Sequence, residues 1–244
     1  MIKNQETCIL LFVKYPEKGK VKLRLSVDIN EDIVKELYRC FVQDTLATIK
    51  KIDSQLFICF SPVEAQKKFQ KWLGSTLLFL PQNGADLGER MKNSFTDVFT
   101  KGFQRAVLVG SDSPDLPEKY IEQALSILKT QDIVLGPTID GGYYLIGFNK
   151  NTFTSGVFED IPWGNQMVFQ KTSMKIKQAH RSLGLLPVWS DVDTIADLKH
   201  LIQRAENTSF KSSQTMTYLR KCHMRLENNN ETKTKRKGGG SISR

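Results

Sequence analysis

The sequence predicts an α/β fold, a single-domain α/β/α sandwich built on a mostly parallel mixed sheet. Three observations lead there. Apolar runs of strand length alternate with segments that repeat apolar residues every three or four positions. The runs are near-continuous rather than alternating, as expected of strands covered on both faces by helices. At 244 residues the chain is long enough to build one ordinary α/β domain with a substantial core.

Taken in order, strands are expected at 8–14, 55–61, 76–82, 105–112, 132–138 and 143–149, with a short late run at 185–194. The first run, CILLFVK, has only about seven apolar residues and no small-residue cleavage site behind it, so it reads as a strand and not as a leader. Helical periodicity covers 31–51, 62–73, 87–102, 118–130 and 165–184. A further helix begins at Ile195, with Thr194 as its cap and Asp197 completing an approximate capping box. There is no internal repeat, and residues 1–206 read as one domain.

Charge sets the remainder apart. From Asn207 onward nine Lys or Arg face two Glu, so +7 of the net +9 lies in residues 207–244. This basic extension is expected to be disordered beyond about residue 226, where large apolar residues are scarce. No aromatic residues are interleaved with KTKRKGGG, so stable nucleic-acid binding is not expected. No stretch approaches the roughly 18 apolar residues of a membrane span. Cys8, Cys40, Cys59 and Cys222 lack any C-x-x-C spacing and suit buried thiols in the cytoplasm.

In parallel sheets ligands bind beyond the carboxyl ends of the strands, so polar motifs at those ends are the site candidates. The first is FVKYPEKGKVKLRL, where Lys14, Lys18, Lys20, Lys22 and Arg24 surround Gly19 in a loop able to cradle phosphate, or equally to serve as a solvated loop. In PQNGADLGERM, the amides of Gln82 and Asn83 could read a base or sugar edge, while Asp86 suits a helix cap. GSDSPDLP places Asp112 at the end of a core strand, where a charge gains nothing structural but can ligate Mg²⁺ or Mn²⁺ shared with phosphates. Asp115 reads as part of the turn into the next helix.

Asp140, Gly141 and Gly142 form a hairpin turn, with Tyr143 and Tyr144 directly behind it. In SDVDTIADL, Asp191 and Asp193 flank Val192, so both carboxylates face one way while the valine faces the core. Capping does not account for either. A separate carboxylate meeting Asp112 across a cleft would complete a divalent metal site.

With these motifs in chain order, the sequence resembles the selenodomain-associated transferase family of the nucleotide-diphospho-sugar transferase (GT-A) superfamily, which also contains the molybdenum-cofactor and phospholactate guanylyltransferases. F-x-K-x-P-x-x-G-x-V-K-x-R-L, G-x-D-L-G-E-R-M, G-S-D-x-P-x-L, G-P-x-x-D-G-G-Y-Y-L-I-G, I-P-W-G and D-V-D-T-x-x-D-L carry the resemblance, over residues 7–200. Leu23 stands where the family usually has threonine, and Asn165 where P-W-G is usually followed by threonine or serine.

The resemblance implies a metal-dependent transferase, a glycosyltransferase acting on a nucleotide-diphospho-sugar and a small-molecule acceptor. Nucleotidyl transfer with release of pyrophosphate is the alternative. A non-catalytic nucleotide-binding module is a third reading, opposed by the intact Asp112, Asp193, Lys22 and Arg24. By motif, Lys14, Gly19, Lys22 and Arg24 hold phosphates, and Gln82, Gly84 and Asp86 lie near the nucleoside. Asp112 holds Mg²⁺ or Mn²⁺ with Asp193 or Asp191, and with Lys22 and Arg24 forms the catalytic set. Asp140, Gly141, Gly142, Tyr143 and Trp163 shape the acceptor pocket. Assembly as a homodimer is compatible with this reading.

Overall fold

A computed structural model describes residues 6–222. Its strands are β1 (Thr7–Lys14), β2 (Gln55–Ser61), β3 (Leu78–Pro81), β4 (Arg105–Val109), β5 (Ile133–Pro137), β6 (Tyr143–Asn149) and β7 (Leu183–Leu185). They form one sheet in the order β3-β2-β1-β4-β6-β5-β7. Strand β6 is antiparallel to both neighbours and every other pairing is parallel, so the sheet is mixed and mostly parallel, as the sequence predicts.

Alternation along β1 divides the core. Ile9, Leu11 and Val13 face helices α1 (Glu31–Ile49), α2 (Gln66–Leu73) and α4 (Glu118–Ile127). Cys8, Leu10 and Phe12 face α3 (Leu87–Thr100) and α5 (Val168–Gln178) on the other side. On that second face Phe95 of α3 packs among Phe99, Phe148, Phe153 and Phe158, with ring centroids 4.9–6.2 Å apart. Burying each such ring contributes roughly 1.5–3 kcal/mol, and together they fix the segment leading to Trp163 against the start of α3. A third cluster packs α6 (Ile195–Ala205) on the outer side of α1, through Leu37, Phe41, Leu198 and Leu201.

Strands β1, β2 and β4 run in one direction, so the loops leaving Lys14, Ser61 and Val109 emerge along one edge of the sheet. Tyr38 of α1 joins two of these exits: its hydroxyl accepts from Lys14 N at 3.1 Å and lies 3.0 Å from Ser111 Oγ. The motifs of the first, third and fifth polar segments are brought together here.

Three expectations shift. The late run enters the sheet earlier than 185–194, as β7, and after Leu185 it leaves the regular ladder but stays beside β5 through Leu186 N to Leu135 O at 2.9 Å and the bridge of Thr138 with Trp189. Pro187 has no N–H to extend the ladder; beyond it Trp189 N donates to Pro137 O at 3.0 Å and Val192 N to Asp112 O at 2.9 Å. The helix expected over 165–184 occupies only Val168–Gln178, ending before His180 in a left-handed conformation (φ 53). β4 ends at Val109, although Gly110 N still reaches Tyr144 O at 3.0 Å, so Asp112 stands three residues past the end of the strand, in a bend out of the sheet.

Packing also continues beyond residue 206. Residues 214–222 are helical, and Phe210, Tyr218 and Leu219 join the cluster between α1 and α6. The buried carboxylate of Asp44 in α1 accepts from Gln214 N and Thr215 N, at 3.0 and 2.8 Å, capping that helix from a neighbouring element. The disorder expected beyond about residue 226 concerns residues outside the described ones. Asp44→Ala removes two hydrogen bonds to a charged acceptor and should lower unfolding free energy by about 1.5–3 kcal/mol, read from the urea midpoint. An unchanged midpoint would mean that 214–222 adds nothing to the stability of the body.

Candidate active site

The loop after β1 is pinned by Val21 and Leu25, both buried, which leaves the residues between them to face the strand exits. Gly19 has φ 67, the left-handed turn that glycine adopts freely. Lys22 also has a positive φ, 48, which costs a residue with a Cβ about 1 kcal/mol. Its side chain is only 4% exposed, and its ammonium pairs with Asp112 Oδ1 and, at 2.8 Å, with Asp193 Oδ1. The Phe41 ring lies 5.9 Å from the same nitrogen. Burial works against the charge on Lys22, but the two carboxylates outweigh it and hold the ammonium protonated well above its usual range.

Asp112 and Asp193 are half-exposed around this buried cation. Asp191, two residues before Asp193, takes a different environment and accepts a hydrogen bond from the buried hydroxyl of Ser113. Burial and then the charge of Asp112 push its carboxyl up to about 7, with Asp140 adding to the effect and Ser113 and Lys22 opposing it. Asp115 stays out of the cleft: its nearly buried carboxylate pairs with Arg204 of α6 and accepts from Trp189 Nε1 at 3.4 Å. The two aspartates of GSDSPDLP therefore divide their work, Asp115 fastening α6 and the 186–193 segment to the β4 exit while Asp112 faces the cleft.

Two cavities meet there. The first, about 490 Å³, is lined by Lys14, Lys20, Lys22, Arg24, Tyr38, Gln82, Ser111, Asp112 and Asp193 among others. The second, about 720 Å³, is lined by Asp112, Asp140, Gly142, Tyr143, Trp163, Asn165, Gln166, Asp191 and Asp193 among others. Arg24, Leu87, Asp112 and Asp193 line both. A third cavity, about 770 Å³ between α1, α6 and 214–222, shares no lining residue with them and is walled mainly by apolar side chains such as Ile33, Leu37 and Leu219.

The remaining motif residues serve the walls. Gln82 is buried with its amide donating to Cys59 O at 2.7 Å, which ties the ends of β2 and β3. Asp86 caps α3 by accepting from Glu89 N at 2.8 Å, as its capping reading predicts. Gly84 (φ 145) and Gly19 line neither cavity, and a Cβ at Gly84 would meet Arg90 N at 2.7 Å. Gly141 (φ 87) lets the chain at Gln166 cross the hairpin, since a Cβ there would lie 2.0 Å from Gln166 O. Trp163 lies against Gly88 in the first turn of α3, where a Cβ would be 2.9 Å from the indole, and meets Tyr143 edge-on at 6.4 Å.

Several contributors carry no motif signal. Tyr38 reads in the sequence as one more apolar-face residue of α1, yet its buried hydroxyl, raised to about 12 by burial and then by Asp112, forms part of the first cavity floor. Ser113 reads as turn chemistry. Gly88 inside a helical pattern was the one usable hint, because a glycine there has to admit a close neighbour. Asn165, a departure from the family motif, keeps a local role open to a hydroxyl: its Oδ1 accepts from Met167 N at 3.0 Å.

The α/β sandwich with cavities at the parallel strand ends defines a protein of the nucleotide-diphospho-sugar transferase fold. The family model described as "Uncharacterized protein conserved in bacteria (DUF2064)" matches residues 45–165. A 1.90 Å crystal structure of a "putative nucleotide-diphospho-sugar transferase" from Desulfovibrio desulfuricans G20 is 43% identical, covering 93% of this chain and 98% of that one with a TM-score of 0.87. The chain belongs to the family of that protein. The inositol-1-phosphate CTP transferase of T. maritima (12% identity, 87% and 99% coverage, TM-score 0.53) shares the fold. So does the manganese complex of Rv0371C from Mycobacterium tuberculosis H37Rv (14%, 81% and 98%, TM-score 0.50). No curated protein matches the sequence.

The raised Asp191 carboxyl gives a stability test. A folded-state value near 7 against the usual 3.8 means that the folded protein holds this proton more tightly than the unfolded chain, so stability falls as pH rises from about 4 to 7. Asp191→Asn cannot ionise and still accepts from Ser113. Without divalent cations it should be more stable than the parent at pH 8, by on the order of 2 kcal/mol, and no different at pH 4. Equal melting temperatures at pH 8 would show that the ionised carboxylate is not crowded.

Proposed function

We propose that the protein is a divalent-cation-dependent transferase acting on a nucleotide-activated substrate, in the first instance a glycosyltransferase that uses a nucleotide-diphospho-sugar. The observation that supports this is the pair of contiguous cavities, one basic and one acidic, which meet at Asp112, Asp193 and Arg24. Lys14, Lys20, Lys22 and Arg24 suit the phosphates of the nucleotide, and the second cavity has room for the sugar and its acceptor.

Among the described residues, no three His, Cys, Asp or Glu side chains converge as a ready-made metal cage. The donor set nevertheless fits Mg²⁺ or Mn²⁺ shared with substrate, because the hard oxygen donors of Asp112, Asp191 and Asp193 stand together along one cavity. Asp112, with Asp193 or Asp191, would hold it. When bound, it supplies neutralisation of the charge that gathers on the departing phosphate. Lys22 and Arg24 add fixed positive charge to the same place, and the Lys22 pairing orients Asp112 and Asp193 before substrate arrives.

In glycosyl transfer the bond from the anomeric carbon to the β-phosphate oxygen breaks, the acceptor oxygen takes its place, and a nucleoside diphosphate leaves. In nucleotidyl transfer, the reaction class for which the T. maritima protein is named, the acceptor attacks the α-phosphorus and pyrophosphate leaves. The released product separates the two.

Binding comes first. A nucleoside diphosphate should raise the melting temperature of the parent only with Mn²⁺ or Mg²⁺ present, since a ligand of the native state alone must stabilise it. Asp112→Asn should fold normally and lose the metal-dependent part of the shift. Arg24→Ala should weaken nucleotide binding by about 1.5–3 kcal/mol. An Asp112→Asn protein that responds to nucleotide and cation as the parent does would remove Asp112 from the site.

A further inference from the structure

The reading above leaves the acceptor open, and the charge on the two cavities narrows it. Lining the first are four cations, Lys14, Lys20, Lys22 and Arg24, against the carboxylates of Asp112 and Asp193. The second has four carboxylates against Arg24 alone. Setting aside the residues common to both, the second cavity keeps Asp140 and Asp191 and has no cation of its own. Beyond Arg24 at the seam, no side chain lining it offers positive charge.

The free valences of these groups point the same way. Asp140 Oδ1 is occupied by Thr138 Oγ1 and by Gly142 N, and Asp191 Oδ1 by Ser113. Among the described residues, no hydrogen bond engages the Oδ2 atom of either. The free carboxylate oxygen of Asp140 accepts hydrogen bonds, so its partner must bring hydroxyl or ammonium donors. Asn165 and Gln166 line the same cavity, and so does the Trp163 indole seated on Gly88, an aromatic surface of the kind that packs against sugar rings and cations. A phosphate or carboxylate brought beside Asp140, away from the seam where Arg24 stands, would meet like charge with no compensating side chain.

We infer that the second cavity takes an uncharged or cationic acceptor bearing hydroxyl or amino groups, bound through Asp140 against Trp163, and rejects phosphorylated and carboxylated acceptors. This rests on the proposed transferase reading. It also favours glycosyl transfer over a nucleotidyl transfer that needs a phosphorylated acceptor.

The test uses the full chain with Mg²⁺ and a nucleoside diphosphate. Thermal shift by the nucleotide is measured first, and its absence marks failure of the underlying reading alone. Saturation-transfer NMR titrations then compare glucosamine, myo-inositol and inositol 1-phosphate. Glucosamine and inositol should bind, with inositol 1-phosphate weaker than inositol by more than about tenfold. Asp140→Asn, which can keep the turn hydrogen bonds, should weaken glucosamine more than inositol. Asp140→Lys should bring inositol 1-phosphate up to the level of inositol. If inositol 1-phosphate binds the parent as well as inositol does, the inference is overturned. It is equally overturned if neither glucosamine nor inositol binds while the nucleotide still raises the melting temperature.

Discussion

The buried ammonium of Lys22 is the constraint around which the active end of the molecule is arranged. It joins the loop after β1 to Asp112 past β4 and to Asp193 before α6, three segments that are far apart in the chain. A lone ammonium taken out of water at this depth would be very costly, and two carboxylates without it would repel each other. Each therefore stabilises the position of the others. The left-handed backbone at Lys22 is the visible strain of that arrangement, tolerated because Val21 and Leu25 anchor the loop on either side.

Around this centre the scaffold applies the same logic with different forces. Tyr38 links the exits of β1 and β4 by hydrogen bonds, and the Asp115–Arg204 pair fastens α6 to the second of them. On the opposite face of the sheet the phenylalanine cluster about Phe95 holds the segment that carries Trp163. A polar clasp thus shapes the basic cavity and an aromatic one shapes its neighbour. Their shared border is the place where the proposed transfer would have both fixed charge and a wall to work against.

Much of this was legible in the sequence, for identifiable reasons. Long buried strands such as β1 and β6 announce themselves because both faces are apolar, and the Thr194 and Asp197 pair caps α6 as its spacing predicts. Three-residue β7 contains Gly184 and offers too little pattern to read, so the late strand was placed too far along. The segment after residue 206 was set apart on charge, whereas its packing depends on a few apolar side chains and on Asp44, a partner 170 residues away. Asp112 was suspected because a charge at a strand end needs a reason. That Lys22 would be its partner does not follow from loop composition, which ranks Lys14, Lys18, Lys20 and Lys22 equally until folding buries one of them.

The contact between Trp163 and Gly88 binds together two positions that belong to different motifs, 75 residues apart in the numbering. Any side chain larger than hydrogen at position 88 displaces the indole, and a smaller residue at position 163 leaves a void over the first turn of α3. The two sites are therefore epistatic. Drift at either alone is penalised, while a concerted exchange opens a differently shaped recess. Diversification of what this family accepts would accordingly proceed by coupled steps along that seam, with the charged knot on the other side of the cleft left untouched.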